Sequence, residues 1–286
     1  MTDHDAHRAA VEAWRTQRYA ALRRDIGWLT LAGLAWLKPG VNRIGADPAA
    51  DITLPSGPPS VGTISVNDLV VVADGSFLHD DAPVRGLFLV NDQQGEPTML
   101  ALGPLRMCVI ERGGRLALRT WNLESAARRT FEGIAHWPVD PAWRLDARFE
   151  PTPGRTVPVP DVLGTNDEQA APGDVLFQLD GVTHRLQALD GGETGELWLV
   201  FADATNGHET YGGGRFVYTD VPDGQGRVVV DFNRAYNPPC VFSAYATCPL
   251  PWPANRLRMR VEAGERLAHR RAMTAGTDAE GPTLHR

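Results

Sequence analysis

Two segments in the second half of the chain concentrate side chains that can do chemistry. The first is DATNGHETYGGGR, residues 203–215, and the second is DFNRAYNPPCVFSAYATCPLPWPANR, residues 231–256. Both place carboxylate, arginine, tyrosine and asparagine side chains on a backbone that is rich in glycine or proline. Because ligand and catalytic sites are commonly built on rigid polar loops, these segments predict a site in the C-terminal half.

The first segment follows the apolar run LWLVFA and predicts an anion site. A strand that ends in a glycine-rich loop brings backbone N–H groups close to an anion, and Arg215 adds a fork-shaped positive group. Asp203 and Tyr211 are further ligand-binding candidates in this loop. The glycines lack the spacing of a phosphate-binding P-loop, so a nucleotide is not indicated. A wide hairpin loop without a ligand is the alternative interpretation.

The same loop contains two candidates for acid–base catalysis, His208 and Glu209. Adjacent residues of an extended chain point in opposite directions, so these two would not share a metal ion unless the loop turns between them. The sequence also lacks the H-x-E-x-H and C-x-x-C pairings of common metal sites. We therefore predict neither a metal site nor a cofactor.

The second segment supplies the other candidates. Asp231 is a candidate general base, Tyr236 a candidate to polarise a carbonyl group, and Arg234 a candidate to orient an anion. Further ligand-binding candidates are Asn237, Cys240 and Asn255. An equally open alternative is that Asp231 and Arg234 join Arg256 in a buried ion-pair network that only stabilises the fold.

Cys240 and Cys248 flank the sequence VFSAYAT, and prolines lie on both sides of this stretch. The pattern predicts a strand held between two rigid elbows. A buried cysteine usually behaves as a small apolar residue, and we favour that role over a nucleophile or a disulfide. Three cysteines in total are too few for a disulfide framework.

Composition limits the partners. The 286 residues are 43% hydrophobic and 22% charged, which is enough apolar material for a core, and the net charge is −7. The negative charge argues against non-specific binding to nucleic acid or anionic membranes. No signal-peptide-like or membrane-spanning apolar run is present, so we expect a cytoplasmic protein. The predicted partner is a small molecule, and an exposed sheet edge leaves both a monomer and a homodimer open.

The apolar patterning predicts a mainly β fold with one N-terminal helix over residues 5–24 and two β-rich lobes. Residues 1–130 would hold the helix and a sandwich-like lobe. Residues 131–265 would form an antiparallel sandwich or open barrel with the candidate site, and residues 266–286 a disordered tail. Tight hairpins are expected at Gly113-Gly114 and at Asp180-Gly181.

Several segments of the sequence also resemble a known family. WRTQR, GWLTLAGLAWLKPG, VPVPDVLGT, FADATNGHETYGGGRFVY and the 231–256 segment together are similar to the bacterial family called domain of unknown function 1684. This resemblance implies kinship but no reaction. Residues 42–122, opening with NRIGADPAADITLP, faintly resemble a forkhead-associated domain. Ala46 stands where that family has its phosphate-binding arginine, so phosphopeptide binding is not implied.

The sequence thus predicts a protein that binds a small anionic or carbonyl-bearing ligand in its C-terminal lobe without catalysis. The alternative is a cofactor-free hydrolase or isomerase acting on a small anionic substrate. We favour binding because no nucleophile and base occur at a recognisable spacing.

Overall fold

A computed structural model describes residues 3–68 and 70–267 and confirms a mainly β protein with an N-terminal helix. Helix α1 spans Asp3–Leu22, two residues earlier at each end than predicted. Asp3 and Asp5 lie in its first turn, where a negative charge is stabilised by the helix dipole. A second, four-residue helix, α2, spans Ala126–Arg129. None of the described helices is both long enough and apolar enough to span a bilayer.

The N-terminal lobe is a sandwich of two sheets. The strands are β1 (Leu31–Trp36), β2 (Gly40–Gly45), β3 (Ile52–Thr53), β4 (Gly62–Asn67), β5 (Val70–Gly75), β6 (Leu78–His79), β7 (Ala82–Pro83), β8 (Leu87–Phe88), β9 (Leu100–Leu102), β10 (Leu105–Arg112) and β11 (Arg115–Asn122). The two sheets have the strand orders β3-β2-β4-β5-β8 and β1-β11-β10-β9-β6-β7, and they enclose a core that includes Ile64 and Met107.

The C-terminal lobe is built on an antiparallel six-stranded sheet that curls into a half-barrel, and its core includes Phe177, Phe201 and Phe232. The strands are β12 (Ala135–His136), β13 (Arg144–Pro151), β14 (Thr156–Pro160), β15 (Asn166–Ala170), β16 (Gly173–Leu179), β17 (Val182–Asp190), β18 (Leu197–Phe201), β19 (Arg215–Tyr218), β20 (Arg227–Asp231) and β21 (Glu265–Arg266). The six-stranded sheet has the order β19-β18-β17-β16-β13-β20.

Both predicted hairpins are present. Gly113 and Gly114 connect β10 to β11 with φ angles of +56° and +70°, and Asp180 and Gly181 connect β16 to β17 with +50° and +75°. Two successive positive φ angles belong to the type I′ turn, whose twist matches that of the strands it joins.

The predicted strand between Cys240 and Cys248 is wrong. The chain there forms a 3₁₀ helix, Pro239–Val241, followed by turns. Prolines remove the N–H donors that a strand needs to join a sheet, and the flanking positions 238, 239, 249 and 251 are all proline. Two further 3₁₀ helices, Phe232–Arg234 and Pro253–Asn255, lie on either side.

A third apolar core joins the two lobes. Side chains of β10 and β11 alternate, so that Leu118 faces the sandwich core while Ala117 and Trp121 face Val200 and Phe216 of the C-terminal lobe. The sheet that contains β10 and β11 is therefore covered on both faces, which explains the nearly continuous apolar run of LRMCVI.

Helix α1 packs on the C-terminal lobe through polar as well as apolar side chains. Its buried residues are Val11, Leu22 and also the charged Arg15. Arg15 donates to the carbonyl oxygen of Trp137 at 3.0 Å. Polar side chains rather than an apolar stripe alone thus attach the helix to the lobe.

The predicted disordered tail, residues 266–286, lies outside the described residues from position 268 onward. Arg266 itself pairs with Ala135 in the two-stranded β12-β21 sheet.

Candidate functional site

A cavity of about 460 Å³ lies where α1, the N-terminal sandwich and the half-barrel meet. Small-molecule sites usually enclose about 300–1,000 Å³ and combine apolar walls with a few polar groups. The walls here are mainly aromatic, with Trp14, Trp28, Trp198, Phe216, Tyr218 and Tyr236. Three arginines also line the cavity, namely Arg18, Arg112 and Arg119.

One wall is a stack of three flat rings from the C-terminal lobe. Along β18 and β19 the side chains alternate, so that Leu199 and Val217 enter the half-barrel core while Trp198 and Tyr218 face the cavity. Trp198 stacks on Tyr218 with ring centroids 6.2 Å apart, and Tyr218 stacks on Tyr236 at 6.2 Å and an interplanar angle of 9°. The wall therefore combines three nearly parallel aromatic rings.

Helix α1 contributes Trp14 and, one turn later, Arg18. The Arg18 guanidinium lies 4.6 Å from the centre of the Tyr236 ring and donates to a buried carboxylate oxygen of Glu265 at 2.9 Å. It also donates to the carbonyl oxygen of Asn237 at 2.8 Å. Burial raises the pKa of Glu265, and Arg18 opposes that rise. The Arg18 charge is thus already balanced within the protein.

Strands β10 and β11 contribute Arg112 and Arg119, whose charges are balanced very differently. Arg112 donates to a carboxylate oxygen of Asp92 at 2.7 Å. Arg119 is only 7% exposed, yet among residues 3–68 and 70–267 no carboxylate forms an ion pair with it. Burial, and secondarily the charge of Arg112, lower the pKa of Arg119.

The Arg119 guanidinium makes few contacts of its own. One terminal nitrogen donates to the Thr247 hydroxyl at a long 3.5 Å, and the group lies 5.9 Å from the centre of the Trp28 ring. Its Nε–H is buried without a hydrogen-bond partner. The Trp198 indole N–H, on the stacked wall, is also buried without a hydrogen bond of normal geometry. Burial raises the pKa of Tyr236, and the nearby Trp198 N–H opposes that rise slightly. The cavity therefore offers N–H donors and one unbalanced positive charge.

The predicted site residues do not assemble into this cavity as a group. Of the predicted set, Tyr236 lines it, and Cys240 lies directly behind it with its N–H 3.2 Å from the sulfur of the lining residue Cys248. The segments 203–215 and 231–256 pack against each other at Gly214 and Pro251, and Phe216, the residue after the first segment, pairs through its backbone with Tyr236 of the second. They contact each other without enclosing a common pocket around their carboxylates.

Asp231, the predicted general base, has a structural role. One of its oxygens is 2.8 Å from His7 Nε2, and the other accepts from the backbone N–H of Asn233 at 3.1 Å and so caps a 3₁₀ helix. Arg234 approaches it at 3.7 Å, but Arg256 is exposed. Of the two alternatives for these residues, the contacts favour a structural cluster, with His7 of α1 in the place expected for Arg256.

Arg215, the predicted anion ligand, is fully buried and also has a structural role. It donates to Asp203 at 2.8 Å and to the carbonyl oxygens of Val261, Ala263 and Glu265 at 2.7, 2.5 and 3.2 Å. These contacts fix the segment 261–265 against the half-barrel. They leave neither Arg215 nor Asp203 facing the cavity, which contradicts the predicted anion site.

The glycines of the same loop serve packing. Gly214 has a φ of +89°, and a Cβ atom there would meet Pro251 Cγ at 2.4 Å and the carbonyl oxygen of Phe201 at 2.6 Å. A Cβ on Gly213 would meet the Tyr211 ring at 2.4 Å. The loop therefore needs glycine for close contact with its neighbours, and not for the approach of an anion.

None of the remaining predicted residues, Tyr211 included, lines the cavity. His208 is exposed, Glu209 pairs with Arg260 at 2.7 Å, and Asn237 is buried with its N–H on Glu265. Asn255 is fully buried and hydrogen-bonds backbone groups of two strands. No three His, Cys, Asp or Glu side chains in the described part of the chain are grouped so as to hold a metal ion.

The sequence interpretation missed Arg119, Trp198 and the helix residues. One signal was available, because Arg119 interrupts the apolar face that it shares with Ala117 and Trp121 in RLALRTW. A single arginine on a buried strand face is unusual and calls for a partner.

Comparison with known proteins supports kinship without supplying a function. A family model described as a protein of unknown function (DUF1684) matches residues 129–266. An uncharacterised protein of Haloarcula marismortui, solved by NMR, is 30% identical over 49% of this chain and 79% of that protein, with a TM-score of 0.41. No curated protein matches. The matched span includes the stacked wall of Trp198, Tyr218 and Tyr236. This chain belongs to the DUF1684 family of proteins of unknown function.

Proposed function

We propose that the protein binds a small anion with a flat aromatic body in the cavity between its lobes, without converting it, in the cytoplasm. The observation that carries the proposal is the buried charge of Arg119, which has no carboxylate partner in the described structure. The aromatic stack opposite supplies the surface for the flat part of the ligand.

An unpaired buried charge needs an explanation in energetic terms. Removing an ion from water costs several kcal/mol even after relaxation of the protein, and Thr247 and Trp28 return little of that cost. An anion bound beside Arg119 would supply the missing counter-charge, and two N–H groups of the guanidinium match the two oxygens of a carboxylate. Binding of an anion thus relieves an unfavourable feature of the free protein.

The charge balance selects the kind of anion. Arg18 and Arg112 are neutralised by Glu265 and Asp92, so Arg119 contributes one unbalanced positive charge. A single carboxylate balances that charge, whereas a dianion would leave an excess negative charge among aromatic rings. Aromatic monocarboxylates therefore fit the cavity best.

The lining favours binding over catalysis. The described residues that line the cavity include no His, Asp or Glu side chain. A hydrogen bond with Cys240 and then burial raise the pKa of the Cys248 thiol, and burial raises the pKa of Tyr236, so neither ionises readily. A hydrolase or isomerase would need Asp231, His208 or Glu209, and these residues lie elsewhere.

The test compares 1-naphthoate with its neutral counterpart, 1-naphthamide, by calorimetry and thermal unfolding. We expect naphthoate to raise the unfolding temperature by several degrees at saturation, and the amide to have no such effect, since only the anion meets Arg119. Arg119→Met should weaken naphthoate binding at least tenfold. Arg227→Met, which removes an exposed arginine paired with Asp223, is the matched control and should bind as the natural protein does.

Two results would contradict the proposal. One is equal binding of the acid and the amide, which would show that the cavity does not recognise charge. The other is unchanged naphthoate affinity in Arg119→Met, which would place the anion elsewhere on the protein.

A further inference from the structure

Two of the three cysteines touch each other in the wall of the cavity. The backbone N–H of Cys240 donates to Cys248 Sγ at 3.2 Å, and the Cys240 thiol lies 3.7 Å from the carbonyl oxygen of Ala246. Cys240 is partly exposed, whereas Cys248 is buried and lines the cavity. Cys108 lies on β10 in the N-terminal lobe and is buried.

The local backbone allows the two sulfurs to meet. Cys240 sits in the 3₁₀ helix Pro239–Val241, and the chain returns through turns to Cys248, so no strand ladder fixes the separation of the two residues. A sulfur in hydrogen-bond contact with the partner's own backbone N–H is within reach of that partner's side chain after rotation about one χ1 bond. Formation of a disulfide therefore requires little movement of the backbone.

The two thiols differ in reactivity. A hydrogen bond from Cys248 lowers the pKa of Cys240, whereas that same hydrogen bond and burial raise the pKa of Cys248. The first thiolate of the pair thus forms on the more exposed sulfur. An attacking thiolate at an accessible position with a second thiol in contact is the arrangement of a redox-active pair.

We propose that Cys240 and Cys248 form a reversible disulfide, with a low-molecular-weight disulfide as the oxidant. The Cys240 thiolate attacks one sulfur of the oxidant, which forms a mixed disulfide and releases one thiol. The Cys248 sulfur then loses its proton, attacks the Cys240 sulfur and releases the second thiol. Two protein thiols are oxidised to one disulfide, and one external disulfide is reduced to two thiols.

The experiment uses the full-length protein with oxidised glutathione, followed by maleimide labelling of the unfolded protein and intact mass measurement. The natural protein should lose two thiols, carry no glutathione and retain one labelled cysteine, Cys108. Cys248→Ser should retain glutathione on Cys240, because no second thiol releases it. Cys240→Ser should be modified at least tenfold more slowly than Cys248→Ser, since its remaining thiol of the pair is buried.

Cys108→Ser is the matched control and should still form the disulfide, leaving no cysteine to label. A stable glutathione adduct on the natural protein would overturn the proposal, and so would retention of all three thiols. If a serine variant fails to fold, peptide mapping of the oxidised natural protein identifies the bonded pair directly. A disulfide that includes Cys108 would refute the proposal, whereas a peptide linking Cys240 to Cys248 would support it.

Discussion

Two buried arginines should respond in opposite ways when each is replaced by methionine. Arg119 is 7% exposed and has one long hydrogen bond, whereas Arg215 is 0% exposed and donates to Asp203 and to three backbone carbonyl oxygens. Methionine keeps most of the apolar volume of an arginine side chain and removes its charge. The two replacements therefore separate an unbalanced buried charge from a balanced one.

Arg119→Met should stabilise the protein in the absence of ligand. The replacement removes a desolvated cation that is further disfavoured by Arg112, and it loses one weak hydrogen bond and a cation–π contact worth about 0.5–1 kcal/mol. Since the effective penalty for one buried ion is several kcal/mol, the net gain should be about 1–3 kcal/mol. Under the proposed function the same variant should bind naphthoate at least tenfold more weakly, so stability and ligand affinity should change in opposite directions.

Arg215→Met should destabilise the protein by about 3–5 kcal/mol, the usual effect of removing one partner of a buried ion pair. Asp203 would remain buried and charged, and three carbonyl oxygens of the segment 261–265 would lose their donor. The difference between the two variants should thus be at least 4 kcal/mol, taking about +1 and about −3 kcal/mol as the smallest effects.

Urea unfolding followed by tryptophan fluorescence measures both effects, provided that each variant keeps the m-value of the natural protein. The decisive measurement is the free energy of unfolding of Arg119→Met, because this variant is expected to remain folded. A loss of more than about 1 kcal/mol in that variant would refute the reasoning, because it would show that Arg119 has native partners that hold it in place.

Three other residues give predictions that rest on their immediate contacts. Gly214→Ala should lower the free energy of unfolding by more than about 2 kcal/mol, because its new Cβ meets backbone and proline atoms at a positive φ. A Cβ at Gly212 meets nothing closer than 3.8 Å, so Gly212→Ala should cost less than about 1 kcal/mol, and urea unfolding distinguishes the two variants. Burial and Arg15 lower the pKa of His136 to about 4. The unfolded chain therefore binds an extra proton below about pH 6.5, and the free energy of unfolding should fall by about 2 kcal/mol as the pH falls from about 6.5 to about 4. This loss should be smaller in His136→Gln. Asn255→Ala should cost about 2–4 kcal/mol by calorimetry, because three backbone groups lose their partner in the interior.

The fold was predictable from the sequence because its signals are local. Alternating apolar residues determine which face of a strand is buried, and the dipeptides Gly113-Gly114 and Asp180-Gly181 determine the two hairpin turns. The error at Cys240 has the same local origin, since VFSAYAT has the composition of a strand and only its proline neighbours argue against a ladder. Local patterns thus predict elements well where no proline competes.

The cavity was not predictable because its parts are far apart in the chain. Trp14, Arg119 and Trp198 come from a helix and two different lobes, and only the packing of the lobes brings them together. A sequence also does not show which arginine is balanced. Arg215 lies in a loop that is rich in functional groups and proves to be structural, whereas Arg119 lies in an apolar strand and faces the cavity.

The two polar segments nevertheless act on the cavity, through a continuous series of contacts. Arg215 donates to the carbonyl oxygen of Glu265, and the carboxylate of that residue holds Arg18 over the Tyr236 ring. Tyr236 continues the stack that ends at Trp198. Because each member of this series is buried or stacked, a shift of the segment 261–265 would displace the aromatic wall of the cavity. The polar groups of these segments therefore hold one aromatic surface in place, while the unpaired charge of Arg119 comes from the other lobe.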